Sequence, residues 1–452
     1  MNITSVSGIF NFFKTFKQVG RMRSIPVYNS WYNYVMKPSF FQRSRAKEKL
    51  AVIFDIGSAS VGAALVGFAP DTLPKVFYTT RREISFLKKL EAERLTASML
   101  KTLKLVAHDI QKEGFSHARL TLFGSIKPAL VFYVLASPWH ASQVRDIHRR
   151  EEEPFRVDRD LVRELVSHEI DDFKKMHGGK DDVSSEGDGE TKQDNSHDKH
   201  AIIEGDILDI KLNRYHVTDP LEKTARELDM TLFVSSAPQT LIRSIKDVGD
   251  REFSGAESRL SSFTFSFFNT VRDIWHNKEN FLLIDISGEV TDLSIVKEGR
   301  ILETASFPVG RNTILRNLSS EHISFNEAES LLNLYYQNKI STDEAAHIKR
   351  TLQSSQDIWL QSFIKELQEL ASQILFPKDI FLVVDAPLDV WFKDVITSDK
   401  LYDLSTTGEP FNVTLLDERT LAPYCQSEKW VDKDPFLIVE SLFLNKTLFV
   451  VK

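Results

Sequence analysis

Two short segments, separated by more than 200 residues, limit what this chain can fold into. Residues 51–66 read AVIFDIGSASVGAALV, and residues 281–296 read FLLIDISGEVTDLSIV. Each is an apolar run, a short polar turn and a second apolar run, the pattern of a β-hairpin. A purely structural hairpin needs only a turn former at its tip. These tips carry more: Asp55, Gly57, Ser58 and Ser60 in the first, and Asp285, Ser287, Gly288, Thr291 and Asp292 in the second. Glycine lets backbone approach a ligand closely, and successive turn N–H groups with serine hydroxyls make an anion cradle. A carboxylate at the end of each leading strand, Asp55 and Asp285, can hold a hydrated Mg²⁺ between loop and phosphate. Either hairpin alone is equally well a plain turn, because Asp and Ser are common turn residues. Together they predict two lobes facing each other across a nucleotide cleft.

The 452 residues suffice for two or more domains with cores of their own. The single Cys425 excludes an intramolecular disulfide and a cysteine-based zinc cluster, and fits a reducing cytosol. The twelve histidines show no metal-ligand spacing of the HExxH kind. No apolar run approaches the roughly 18–20 residues of a transmembrane helix. The net charge of −7 is unevenly spread. Residues 1–47 hold no Asp or Glu, while Lys14, Lys17, Arg21, Arg23, Lys37, Arg43, Arg45 and Lys47 are basic. Within this segment Val6, Ile9, Phe10, Phe13, Phe16 and Val19 fall on one helical face, with Lys14, Lys17 and Arg21 opposite. Bulky aromatics against cations suit the surface of an anionic membrane. A docking helix, an upstream start and a cleaved transit peptide share that composition.

Strand and helix patterns alternate through the body, which predicts an α/β architecture in two related halves. Helices are expected over 86–112, 156–176 and 238–248, near Arg311 and Asn326, and over 343–375. Strands are expected over 118–125, 129–136, 230–236 and 300–310, with two more in 201–219. Residues 380–396 read as a buried strand, a turn and a helix, and the chain closes with a strand in 411–417 and a helix in 434–446. Residues 177–200 have one apolar residue in twenty-four, with seven acids against three lysines. They read as a disordered insertion.

The tip motifs resemble those of the actin-like ATPases, and within them the bacterial cell-division protein FtsA and its relative PilM of type IV pilus assembly. DIGSASV (55–61) looks like the family's first phosphate motif, and DISGEVTD (285–292) like the second, usually DIGGGTTD. LNRYHVTDPLEKTARELDMTLFVSSAP (212–238), PVGRNTI (308–314) and SFNEAESL (324–331) follow in the family's order. The resemblance spans about residues 49–445. It implies a two-lobed actin-like fold with an inserted FtsA-type subdomain. The expected boundaries are a basic segment at 1–47, the start of the first lobe at 49–116 and the insertion at 117–235. Residues 236–280 return to the first lobe, 281–380 form the second, and 381–452 complete both.

The resemblance implies ATP with Mg²⁺ as the cofactors the cleft would take, and several departures bear on them. Ser287, Glu289 and Val290 replace Gly, Gly and Thr of the second motif, and a carboxylate at Glu289 would repel a γ-phosphate unless it turned away or met Mg²⁺. Gly62 stands where PilM-like proteins tend to carry Lys. Asp385, Ala386 and Pro387 occupy the turn that normally holds the adenosine motif's two glycines, and 261–275 offers no evident Glu or Gln to orient a water. Nucleotide bound without efficient hydrolysis, a degenerate pseudo-ATPase and a turning-over ATPase all stay open, with the losses counting against the last. The function implied is a cytoplasmic scaffold, peripheral on the inner face of the cell membrane. Its implied partners are an FtsZ-like filament or the tail of a pilus inner-membrane protein, an anionic membrane surface and further copies of itself, with no nucleic acid. FtsA carries its lipid-binding helix at the C-terminus; here the sequence closes soon after the last helix, so a membrane helix is expected at the N-terminus instead. The rival reading is an ATP-dependent small-molecule kinase of the same superfamily, which would need an intact adenosine site.

Overall fold

Both hairpins form, and each sits at the centre of its own sheet. The computed structural model describes residues 49–85, 91–121, 127–177, 199–319, 323–370, 376–384 and 387–449. The expected membrane helix with Ile9, Phe10, Phe13, Lys14, Phe16, Lys17 and Arg21 lies outside the described residues, as do 178–198 of the acidic insertion and the turn residues Asp385 and Ala386.

In chain order, β1 (Lys49–Ile56), β2 (Ser60–Phe68) and β3 (Lys75–Glu83) lead to α1 (Ala92–Asp109). A π-helical turn (Ile110–Gly114) joins α1 to α2 (Phe115–Thr121), and β4 (Leu130–Leu135) follows. Next come β5 (Ala141–Arg156), α3 (Arg159–His177), β6 (His200–Leu212), β7 (Tyr215–His216) and β8 (Thr224–Pro238). Then α4 (Gln239–Glu252), β9 (Glu257–Ser262) and α5 (Phe263–Ile274) precede the second hairpin, β10 (Phe281–Ile286) and β11 (Thr291–Lys297). After it run β12 (Arg300–Phe307), α6 (Arg311–Leu318), α7 (Phe325–Tyr336) and α8 (Thr342–Leu370). The described chain ends through β13 (Asp379–Val384), α9 (Asp389–Ile396), β14 (Asn412–Leu415), β15 (Gln426–Ser427) and α10 (Pro435–Phe449).

The first sheet has the order β15-β3-β2-β1-β4-β9 and the second β12-β11-β10-β13-β14. Apart from β15 they are the same sheet twice. Each has three antiparallel strands, with two further strands running parallel to the first strand of the hairpin. The registers match as well: Asp55 lies opposite Gly62 and beside Val134, and Asp285 lies opposite Asp292 and beside Val383. The central strands read as unbroken apolar runs because both of their faces are covered. Ala51 and Ile53 of the first sheet and Phe281 and Leu283 of the second pack into one shared core with α5 and α10 between them. The alternate residues, Val52 and Phe54 or Leu282 and Ile284, pack outward under α1 and α4 or under α6 and α8. This alternation turns Asp55, Asp285 and Asp292 toward the space between the lobes.

The four-stranded third sheet, β5-β8-β6-β7, runs from Ala141 to Pro238 and carries its own core against α3. It interrupts the first lobe between β4 and α4, where the second lobe passes directly from β13 to α9. The expected insertion boundary at 117 is therefore corrected. Residues 115–121 and 130–135 belong to the first lobe, because Phe115 and Ala118 pack into its outer core and β4 pairs with β1. The strand expected over 118–125 is also corrected: Ala118 to Thr121 continue a helix, with Phe115 and Ala118 one turn apart on its buried side. Asp158 caps α3 by accepting from the Leu161 N–H, and Ser324 with Glu327 forms a capping box on α7.

Candidate functional site

The two tips have the same backbone closure. Gly57 N–H donates to the Ser60 carbonyl at 3.1 Å, and Ser287 N–H to the Val290 carbonyl at 3.0 Å. Rather than flanking a gap, the tips touch. Ser58 Oγ lies 2.9 Å from Ser287 Oγ and accepts from the Glu289 N–H at 2.9 Å. Ser287 Oγ gives its proton to the Val290 carbonyl at 3.0 Å, so Ser58 is the donor of the hydroxyl pair. Gly288 abuts Ala59 so closely that a Cβ on it would come within 2.0 Å of the Ala59 Cβ. The glycine of the second tip serves approach to the first tip.

The N-terminus of α6 is turned onto the same tip. Arg311 N–H donates to the Ser287 carbonyl at 3.0 Å and Asn312 N–H to the Gly288 carbonyl at 2.7 Å. These are helix-terminal donors of the type that elsewhere receive anions. Glu289 is turned away from the gap. Arg316 holds both its oxygens, at 2.5 and 2.6 Å, and Asn312 Nδ2 donates at 2.8 Å. Arg311 also crosses the lobes to Glu83 of β3 at 3.3 Å, and within its own lobe it meets Glu329 of α7 at 3.2 Å.

Asp55 has a cation already. Across β1, β2 and β3 lies the row Asp55, Gly62, Arg81. With no side chain at Gly62, the Arg81 guanidinium lies over it, where a Cβ would come within 2.7 Å of Nη2. Arg81 Nη2 donates to Asp55 at 2.6 Å, Nη1 to Ser60 Oγ at 2.8 Å, and Nε to Asp434 at 2.6 Å. Behind the row, Glu440 of α10 is fully buried. Burial first, and then the neighbouring Asp55 carboxylate, holds its carboxyl well above the usual range.

The other expected residues divide between the two faces of the second sheet. Asp285 is buried beside Asp292 on the cleft side. Asp292 accepts from the Ser306 hydroxyl and is bonded to Ser137 at the end of β4. Burial raises its pKa to about 6 against the lowering effect of those hydrogen bonds. Thr291 is corrected as a ligand residue. It points into the outer core, donating to the Val309 carbonyl at 2.7 Å and accepting from Trp359 Nε1 at 3.1 Å. Gly57 supplies its carbonyl to Trp139 Nε1 at 2.7 Å.

These residues do not fit a phosphate with its Mg²⁺. An arginine occupies Asp55, one of the two carboxylates expected to hold the metal, the donors of α6 are engaged by carbonyls, and the serine of one tip bonds the serine of the other. The sequence reading missed Arg81, Arg316, Asn312, Asp434 and Glu440. The loss of the usual Lys at Gly62 was the available signal that a cation must come from elsewhere.

Compared with solved structures, the chain is similar to the PilM–PilN type IV pilus biogenesis complex at a TM-score of 0.55 and 13% identity, covering 90% of this chain and 98% of that one. It also matches the ethanolamine utilization protein EutJ of Carboxydothermus hydrogenoformans at a TM-score of 0.41 and 11% identity, covering 89% and 92%. ADP-bound MreB5 of Spiroplasma citri matches at 0.40 and 13%, covering 88% and 97%. No protein-family model and no curated protein matches the sequence. At these identities the likeness is one of fold, and the protein has the actin-like ATPase fold.

Proposed function

We propose that the protein is a pseudo-ATPase scaffold, an actin-fold body whose lobes are held together by its own side chains where nucleotide would otherwise bridge them. The observation that carries this reading is the direct Ser58–Ser287 contact, with Arg81 seated on Asp55. Such a body offers a fixed surface on which other proteins assemble. Its fold likeness to a PilM–PilN complex supports, as partner, the tail of an inner-membrane protein of a pilus-type assembly. An FtsZ-like filament is the alternative partner. The basic, aromatic N-terminal segment supports placement on the inner face of the cell membrane. The kinase reading requires the same nucleotide clamp and is disfavoured by the same contacts.

Thermal unfolding with ATP–Mg²⁺ tests the core of this proposal. A ligand at a hundredfold excess over its Kd stabilises by about 2.7 kcal/mol. The expected result is no shift at millimolar ATP; a saturable shift that Asp55→Ala abolishes would overturn the pseudo-ATPase reading. The membrane part has its own test. Full-length protein should co-sediment with anionic liposomes and release at high salt, while a chain starting at Lys47 should stay in solution. Equal sedimentation of the two would remove the N-terminal anchor from the proposal.

A further inference from the structure

A cavity of about 470 Å³ opens where the inserted sheet meets the second lobe. Its size lies within the roughly 300–1,000 Å³ of small-molecule sites. Ser142 and Gln143 of β5 face Glu303, Thr304 and Ser306 of β12 across it, and the buried Ser137 and His140 also line it. No lysine or arginine is among the described residues that line it.

The side-chain protons of this wall point inward. Ser306 Oγ donates to Asp292, the Ser137 hydroxyl is bonded to the same carboxylate, and Thr304 Oγ1 donates to the Ser142 carbonyl at 3.4 Å. A hydroxyl has one proton and two lone pairs, so hydroxyls bonded this way present acceptors to the cavity. His140 adds another. Burial lowers its pKa to about 4, so the ring is neutral, and its one N–H bonds the Ala136 carbonyl. Nδ1, then an acceptor, has no hydrogen-bond partner among the described residues, and neither has Gln143 Oε1. Glu303 stands at the mouth as a carboxylate. Burial first, then Asp146, raises its pKa, and no described lysine or arginine lines the cavity beside it. Arg145, on the same strand as Gln143, is held by Glu169 at 2.5 Å.

An acceptor-lined cavity with a carboxylate at its mouth calls for a ligand rich in N–H donors and positively charged. We propose that this cavity binds a small primary amine, whose ammonium group donates to Glu303 and the hydroxyl wall and so bridges the inserted sheet to the second lobe. The site adjoins the second hairpin through Asp292, to which Ser306 and Ser137 are bonded, but neither Ser58 nor Ser287 lines it.

The test uses the full chain at physiological ionic strength, with 1,4-diaminobutane as probe and neutral 1,4-butanediol as its isosteric control. Calorimetric titration and thermal unfolding should show saturable binding of the diamine and none of the diol. Glu303→Gln should weaken the diamine by about tenfold or more, as loss of a charged hydrogen bond predicts. Glu151→Gln, at the far end of β5, should leave the affinity unchanged and so controls for general attraction to an acidic protein. Ala305→Trp, which fills the cavity, should abolish binding; if it unfolds the chain, Glu303→Gln still decides. Three outcomes would overturn the proposal: no saturable response in the wild type, an equal response to the diol, or equal losses in Glu303→Gln and Glu151→Gln.

Discussion

The two lobes solve one electrostatic problem in opposite ways. At the same place in each sheet a carboxylate faces the interlobe space, and the row across the next two strands reads Asp55–Gly62–Arg81 in the first and Asp285–Asp292–Ser306 in the second. In the first row a glycine gives an arginine room to lie over it and neutralise the aspartate. In the second row the middle position is another carboxylate and the outer one a hydroxyl, so burial leaves Asp292 titrating near pH 6. The topology fixes where a charge must be handled. One residue on each neighbouring strand decides whether a built-in cation or only a hydroxyl's hydrogen bond meets it.

The sharpest way to break this difference is to remove the arginine. Arg81→Met leaves Asp55 buried with Glu440 behind it and takes the partner from Asp434. Losing one member of a buried pair costs about 3–5 kcal/mol. The equivalent change in the other lobe, Ser306→Ala, removes one hydrogen bond and should cost only about 1 kcal/mol. Urea unfolding measures both, and Asp55→Asn should return part of the Arg81→Met loss by removing the stranded charge. Equal costs in the two lobes would mean that Arg81 is an ornament of the surface rather than the neutraliser of Asp55.

The second row predicts a pH dependence that the first does not share. Asp292 has a folded-state pKa of about 6, above the ordinary aspartate value. A raised carboxyl contributes stability that is fully present below its unfolded pKa and is lost as pH rises through the folded one. Between about pH 4 and pH 6 the wild type should therefore lose stability relative to Asp292→Asn, by about 3 kcal/mol for a shift near two units. Parallel unfolding curves for the two proteins across that range would show that Asp292 is not held protonated.

Much of this architecture could be read from the sequence, and what escaped has definite causes. The hairpins were legible because strands covered on both faces stay apolar throughout, and only their tips can be polar. β5 was not. It is a sheet-edge strand with many charged residues, including Arg149, Arg150, Glu151, Glu152 and Glu153, and its pairing is imposed by the apolar β8 beside it. The row that seats Arg81 depends on the β2–β3 register, which shifts between Leu65 and Val66, and no local pattern announces such a shift. Thr291 was different. Strict alternation puts it on the face opposite Asp292, so its place in the outer core was available from period alone.

At the tips the asymmetry is steric: Ala59 of the first faces Gly288 of the second. Gly288→Ala should cost about 2–3 kcal/mol, because the new methyl would sit on the Ala59 Cβ in a contact between two backbones that cannot swing aside. Gly57→Ala is the matched test in the first lobe. Its added methyl would meet only the Ser60 carbonyl oxygen, at 3.2 Å, and should cost less. If the two substitutions destabilise alike, the tips do not bear on each other as placed.

The smallest effect bears most directly on how the lobes are joined. Ser58 Oγ donates to Ser287 Oγ and accepts the Glu289 N–H, so Ser58→Ala leaves that N–H with no acceptor at a buried site and should cost about 1–2 kcal/mol. Ser287→Ala should cost less than that, because it leaves the Glu289 N–H on Ser58 and takes only one hydroxyl from the pair. The two serines act on each other, so the double variant should be more stable than the sum of the single costs implies, by about 0.5 kcal/mol or more. Residues 229 positions apart in sequence, in different lobes, would couple this way only if the tips are in contact in solution. Strict additivity of the two changes would mean that the tips stand apart in solution, and the gap for a phosphate would be open again.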